Sequence, residues 1–299
     1  MRSTSSLVLA LWLLAQAPAA LAADDAYAVK LSRPAKAGDR YRVVTKGKTR
    51  KQQRAVKAGQ EVSNSDEAMD VELTAAATVV AVDGRALPVR VSYQVERCQK
   101  AAKGETREVV GRGRTIVVEH KNGKTVFTVD GEVATGDTAE ALGVVLTARE
   151  PDTATDDDIF GTRERRRVGD EWRINGDAAA RDLAGRGLKI GGADIAGTAR
   201  LEGVRKQDGV KALEVSARLR VDRVQMPLPP GMQVDKASVE ASFAGLFPVD
   251  TLSTRRLADR LQMKVALAMR MKNPGAGEEM VVEAMMEQRV ETRYTPLKD

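Results

Sequence analysis

Apolar residues recur at every second position along much of the chain and seldom at the helical spacing. From Leu257 the pattern runs through Leu261, Met263, Val265, Leu267, Met269 and Met271, with Arg260, Gln262, Lys264 and Arg270 on the other parity. It resumes after Asn273-Pro274-Gly275 with Met280, Val282, Ala284, Met286 and Val290, opposite Glu283, Glu287, Arg289 and Glu291. Such alternation predicts strands with one face buried and one in water. At about fifteen residues each, two such partners span about 50 Å, well beyond the common strand. Strands of that length predict a twisted, curved sheet or a barrel-like wrap.

Similar ribbons lie upstream. Val71, Leu73, Ala75, Ala77 and Val79 alternate up to Asp83-Gly84, and Val89, Val91, Tyr93 and Val95 return. Ile116 and Val118 lead into Asn122-Gly123, and Thr125, Phe127 and Val129 follow, the pattern of a tight hairpin. Leu213, Val215, Ala217, Leu219 and Val221 form another ribbon, and Val239, Ala241 and Phe243 a shorter one. Helical signals are few. Asp137-Thr138-Ala139-Glu140 reads as a capping box opening a helix over 138–149, closed by Pro151, and a weaker helix follows Asp177 through Ala178–Ala184.

Lys36-Ala37-Gly38-Asp39-Arg40-Tyr41 and Arg167-Val168-Gly169-Asp170-Glu171-Trp172 repeat one arrangement: a basic residue, a Gly-Asp turn, then an aromatic residue opening a strand. The expected organisation is mainly β, with long curved antiparallel sheets in two half-barrel-like halves and one or two short helices. The halves fall at 23–150 and 167–299, with a linker over 151–166 that begins with the polar stretch Pro151–Asp158.

The first residues alter the picture of where the chain works. Arg2, the apolar run Leu7–Leu14 and the small residues ending in Ala20-Leu21-Ala22 read as a secretory signal peptide cleaved after Ala22. The expected product is periplasmic or secreted, and it does not span a membrane after cleavage. The single Cys98 rules out an intramolecular disulfide. It shares the parity of Arg90, Ser92, Gln94 and Glu96, which predicts a partly exposed free thiol. The net charge of +6 and 3% aromatic content suit a solvated two-faced protein. An anionic envelope component is a possible partner on charge alone, and nothing marks a nucleic-acid reader.

Gly169-Asp170-Glu171-Trp172 after its basic run, the Gly123–Gly131 hairpin and the closing Met/Val-rich strands resemble an uncharacterised family of exported bacterial β-rich proteins. In shape these features are similar to periplasmic lipoprotein and lipid-carrier half-barrels. That resemblance implies no catalytic residue.

Candidate chemistry is sparse. His120 stands beside the Asn122-Gly123 turn with no partner in sequence and reads as a solvent-facing turn residue. One His and one Cys do not make a zinc site of the usual composition. Asp156-Asp157-Asp158 lacks the spacing of a calcium loop and reads as solvated linker. Arg163, Arg165, Arg166 and Arg167 read as charges facing water. Asp39 and Asp170 would be catalytic carboxylates only if the halves met face to face, and turn formation accounts for both. The glycines at 185, 187, 191 and 192 are not followed by a P-loop Lys-Ser/Thr. The sequence therefore predicts no enzyme, cofactor or metal. It predicts an exported binding protein holding an apolar or amphiphilic molecule, such as a lipid, in a β concavity. The cavity candidates are Met263, Val265, Leu267, Met269, Met280, Val282 and Met286. The alternative is an envelope-associated structural or protein-interaction module.

Overall fold

Period-two alternation dominates the chain, and the computed structural model is built accordingly from strands. It describes residues 25–297 except 152, 186–189, 223, 225–230, 254 and 273–278, so the signal segment and the Asn273-Pro274-Gly275 turn lie outside the described residues. In chain order the elements of the first half are β1 (Arg40–Lys57), β2 (Gln60–Val82), β3 (Pro88–Ala102), β4 (Glu105–Glu108), β5 (Thr115–Lys121), β6 (Lys124–Val129), β7 (Glu132–Val133) and α1 (Gly136–Val145). There follow α2 (Asp156–Phe160), β8 (Glu171–Arg173), α3 (Gly176–Gly185), β9 (Ile195–Gln207), β10 (Val210–Asp222), β11 (Met232–Pro248), β12 (Ala258–Lys272) and β13 (Glu279–Pro296).

Among the described residues all strands belong to one open antiparallel sheet of thirteen, ordered β7-β6-β5-β3-β2-β1-β13-β12-β11-β10-β9-β8, with β4 on β3. The two expected halves are thus wings of one sheet, joined where β1 runs beside β13 from Tyr41↔Pro296 to Lys57↔Met280. Each wing buries its apolar parity under its own cover. Leu73, Val95, Ile116 and Phe127 pack against Leu142, Val144 and Val145 of α1. Leu201, Val215, Val221 and Phe247 pack with Trp172, Ala178 of α3 and Ile159 of α2. The segment before β1 straps both wings together. Leu31 N donates to Asp157 Oδ1 (2.7 Å), the Arg33 guanidinium to the carbonyls of Pro248 and Asp250 (2.7 and 2.8 Å), and Ala35 N to Ala86 O (2.7 Å).

The two Gly-Asp turns are the same device used twice. Gly38 N donates to Val79 O and Val79 N to Asp39 O, both at 2.9 Å. Gly169 N donates to Leu201 O at 2.8 Å and Leu201 N to Asp170 O at 3.0 Å. Each carboxylate closes its own turn, Asp39 on Lys36 N and Asp170 on Arg167 N. Both glycines have φ near +90°, which a side chain would oppose. Both aspartates are therefore engaged in turns.

Four expectations change. Helix α1 runs from Gly136 to Val145 instead of 138–149, and Asp137, read as part of a capping box, is engaged by Lys100 and Arg107. Asp156–Asp158 is no solvated linker but the short helix α2, capped by reciprocal hydrogen bonds between Thr155 and Asp158. His120 does not face solvent fully: its side chain is 14% exposed, with Nε2 3.7 Å from Glu150 Oε1.

Cys98, expected on the exposed parity, is buried at 0% exposure. A β-bulge is the reason. Val95 stands opposite Ala75 and Arg97 opposite Thr74, so Glu96 is one residue too many, and every side chain beyond it changes face. Cys98 thereby meets Leu73, and burial pushes its thiol up to about 11. A thiol reagent at pH 8 is expected to label Cys98 only when urea opens the protein. Rapid labelling of the native protein would contradict the bulge.

Candidate functional site

Strand register decides which side chains share a face. One row crosses seven strands as Asp70, Lys48, Arg289, Gln262, Ser242, Arg218 and Thr198, each directly opposite the next. The next row runs from Ala68 through Arg50, Glu287, Lys264, Glu240 and Arg220 to Ala196. These two rows border one hollow of about 830 Å³ that reaches from β2 to β9. The intervening residues point to the helices. Gln288 donates to Val144 O of α1 at 3.4 Å, and a Cβ on Gly197 would lie 2.7 Å from Ile174 Cδ1. The hollow therefore opens on the charged parity, away from the two cores.

Along the strands the same face changes character. A third row carries Gln52, Met285, Ala266 and Ser238, and a fourth Arg54, Glu283, Ala268 and Lys236. A second hollow of about 400 Å³ lies against these two rows. Its floor on the central strands is small and apolar, made by Ala266, Ala268 and Met285. Successive rows are two residues apart, so four rows make a trough about 20 Å long.

Ion pairs hold the charged end in place. Lys48 meets Asp70 at 2.7 Å, Arg50 meets Asp66 at 2.5 Å and Lys264 meets Glu287 at 3.5 Å. The Arg50 guanidinium and the Gln52 amide hold the Asp66 carboxyl down to about 2. Asp222 likewise raises Arg220.

The seven apolar candidates lie together on the helix-side face of β12 and β13, as the register requires. Val282 is buried, the other six are half-buried, and Met263 and Val265 pack on the second core. Met263 and Leu267 border the hollows; the other five do not. The larger free volume thus sits on the parity that alternation assigns to water. A signal for it existed in the sequence: Ala266, Ala268, Val281 and Met285 interrupt the charged parity of β12 and β13.

No family model matches the chain, and no curated protein matches it. Among solved structures, lipovitellin is similar at 7% identity and a TM-score of 0.32, over 88% of this chain but only 26% of its own length. A LolA superfamily protein from Nitrosomonas europaea is 12% identical over 89% of each chain, with a TM-score of 0.13. An outer-membrane channel from Pseudomonas putida F1 is 8% identical, over 89% of this chain and all of its own, with a TM-score of 0.20. At these scores the likenesses carry no argument about function. Among the described residues no helix is long and apolar enough to cross a membrane, which leaves strands out of account.

Proposed function

We propose that this protein is an exported, non-enzymatic binding protein that holds an amphiphilic molecule, such as a single-chain lipid, in the trough across β2–β9. One observation carries the reading: a charged belt and an apolar floor succeed each other on the same face of the sheet. Two cores are already filled on the opposite face, so the trough is where space remains. Its larger hollow is of the size that takes small molecules. An acyl chain over Ala266, Ala268 and Met285 removes apolar surface from water, while its head stays among the ion-paired rows. Export rests on the signal-like first residues, and the absence of an enzymatic role on the lack of any catalytic constellation in the sequence.

Native mass spectrometry after gentle extraction tests this reading. The expected result is a population carrying an amphiphile as a discrete added mass. Ala266→Glu, which places a charge on the apolar floor, is expected to lower occupancy about tenfold without unfolding the protein. Ligand-free protein under every extraction, or a variant that stays as fully loaded as the parent, would defeat the assignment.

A further inference from the structure

We propose that the trough's head-group subsite takes an oxyanion, a carboxylate or a phosphate ester, on the guanidinium of Arg218. This rests on the amphiphile reading of the trough and names the chemistry at its polar end.

Six cationic side chains border the larger hollow: Lys48, Arg50, Arg218, Arg220, Lys264 and Arg289. Five are held by carboxylates. Besides the three pairs already given, Arg220 meets Asp222 at 3.0 Å and Arg289 meets Glu291 at 2.5 Å. Arg218 alone of the six has no carboxylate partner among the described residues. Glu240, the nearest acid by register, stands one row along and directly opposite Arg220. Arg50 and Arg289 spend Nε and one Nη on their acids, and Arg220 its Nε. The free guanidinium presents five N–H donors in a planar array that fits carboxylate or phosphate oxygens two at a time.

The flanking residues supplement that array without competing for it. Directly opposite Arg218 stand Thr198 on β9 and Ser242 on β11, both with hydroxyls able to donate to an oxyanion. Ser242 Oγ donates to Gln262 Oε1 at 3.3 Å, a long bond readily exchanged for a charged acceptor. No carboxylate stands in this part of the row, where two of the seven residues are hydroxyl-bearing neighbours of the free arginine.

Spacing also fits a single acyl chain. Ala266 lies two rows and two strands from Arg218, a diagonal of about 16 Å at ordinary strand and residue spacings. One leaflet of a bilayer core, half of its ~30 Å, has about the same depth. A head on Arg218 thus leaves its tail over Ala266 and Met285.

Titration calorimetry with three twelve-carbon probes tests the subsite: dodecanoate, dodecyl phosphate and dodecanol, against the full protein and Arg218→Gln. The expected result is that at least one anion binds about tenfold more tightly than the alcohol. Which anion leads identifies a carboxylate or a phosphate head. Arg218→Gln should erase that preference and leave dodecanol binding unchanged, and Arg218→Lys should keep part of it. Melting curves should coincide, because Arg218 is exposed and holds no structural partner. Equal binding of all three probes, or a preference that survives Arg218→Gln, would refute the subsite and leave the trough reading standing. Binding of none of the three would overturn both.

Discussion

Replacing Arg256 by methionine is expected to destabilise the protein by about 3 kcal/mol at pH 7 and by clearly less near pH 4.5. Arg256 ties three elements together, α2, β11 and β12. Its guanidinium meets Asp156 of α2 at 2.9 Å and Asp259 of β12 at 3.4 Å, and lies 5.9 Å from the Phe247 ring of β11. Burial works against its charge, but the two acids outweigh that and raise its pKa. Methionine keeps the stem and removes the charge, leaving Asp259, whose side chain is only 14% exposed, with the Tyr294 and Thr292 hydroxyls as neutral partners. The Arg256 side chain retains 29% exposure, so the loss falls at the low end of what breaking a buried pair costs.

The pH dependence follows from Asp259. Burial raises its pKa in the folded protein even against the pull of Arg256, and without Arg256 it rises further. An acid with a raised folded pKa binds more protons folded than unfolded. Its contribution is therefore fully present below the unfolded value, near 4, and is lost as pH climbs through the folded pKa. The variant's deficit should accordingly shrink as pH falls from neutrality towards 4. Urea midpoints of parent and variant at pH 7 and 4.5 measure this. A deficit independent of pH would mean that Asp259 is not left as an uncompensated charge.

Gly47→Val carries the second large effect, again about 3 kcal/mol, and its sign separates two explanations. In a strand, valine is intrinsically preferred to glycine by about 0.5–1 kcal/mol, so propensity alone forecasts a gain. Packing forecasts the reverse. A Cβ at Gly47 would lie 2.6 Å from Val144 Cγ1 and 2.9 Å from Val144 O, where the end of α1 rests on β1. Relief requires moving backbone of α1, whose Leu142, Val144 and Val145 close the first core. Gly203→Val is the control: nothing lies within 4 Å of a Cβ there, and stability should hold or rise. If both substitutions stabilised the protein in chemical denaturation, α1 would not be docked as described.

Strands with a clear apolar parity were legible from sequence. β12, β13, β10 and the Asn122-Gly123 hairpin stand where alternation places them, with Asn122 and Gly123 both at positive φ. The far ends of β1 and β2 were not legible, because the apolar residues of Lys48–Asp66, namely Ala55, Val56, Ala58 and Val62, show no period-two alternation. Cross-strand ion pairs mark those ends instead, Arg50 with Asp66 and Arg54 with Glu61, and they depend on a register that a linear reading does not supply. The burial of Cys98 is hidden for a similar reason: a one-residue bulge leaves no compositional trace yet inverts everything after it. The trough is not legible in the sequence, because alternation reports which parity is apolar but not on which face a hollow forms. Its apolar floor has a trace in the sequence, Ala266, Ala268 and Met285 interrupting the charged parity of β12 and β13.

The junction of β1 with β13 has a consequence for how the molecule comes into being. Strand pairing within each wing is local in sequence; besides the strap before β1, which reaches into the second core, only residues 279–296 join the two ladders, along the middle. Until that stretch has emerged, the nascent chain holds two separate half-sheets, each ending in a bare border as long as β1 or β12, 18 and 15 residues. Such borders invite pairing with other chains. A truncation before Glu279 would thus yield not a shortened protein but an aggregation-prone pair of fragments on one string.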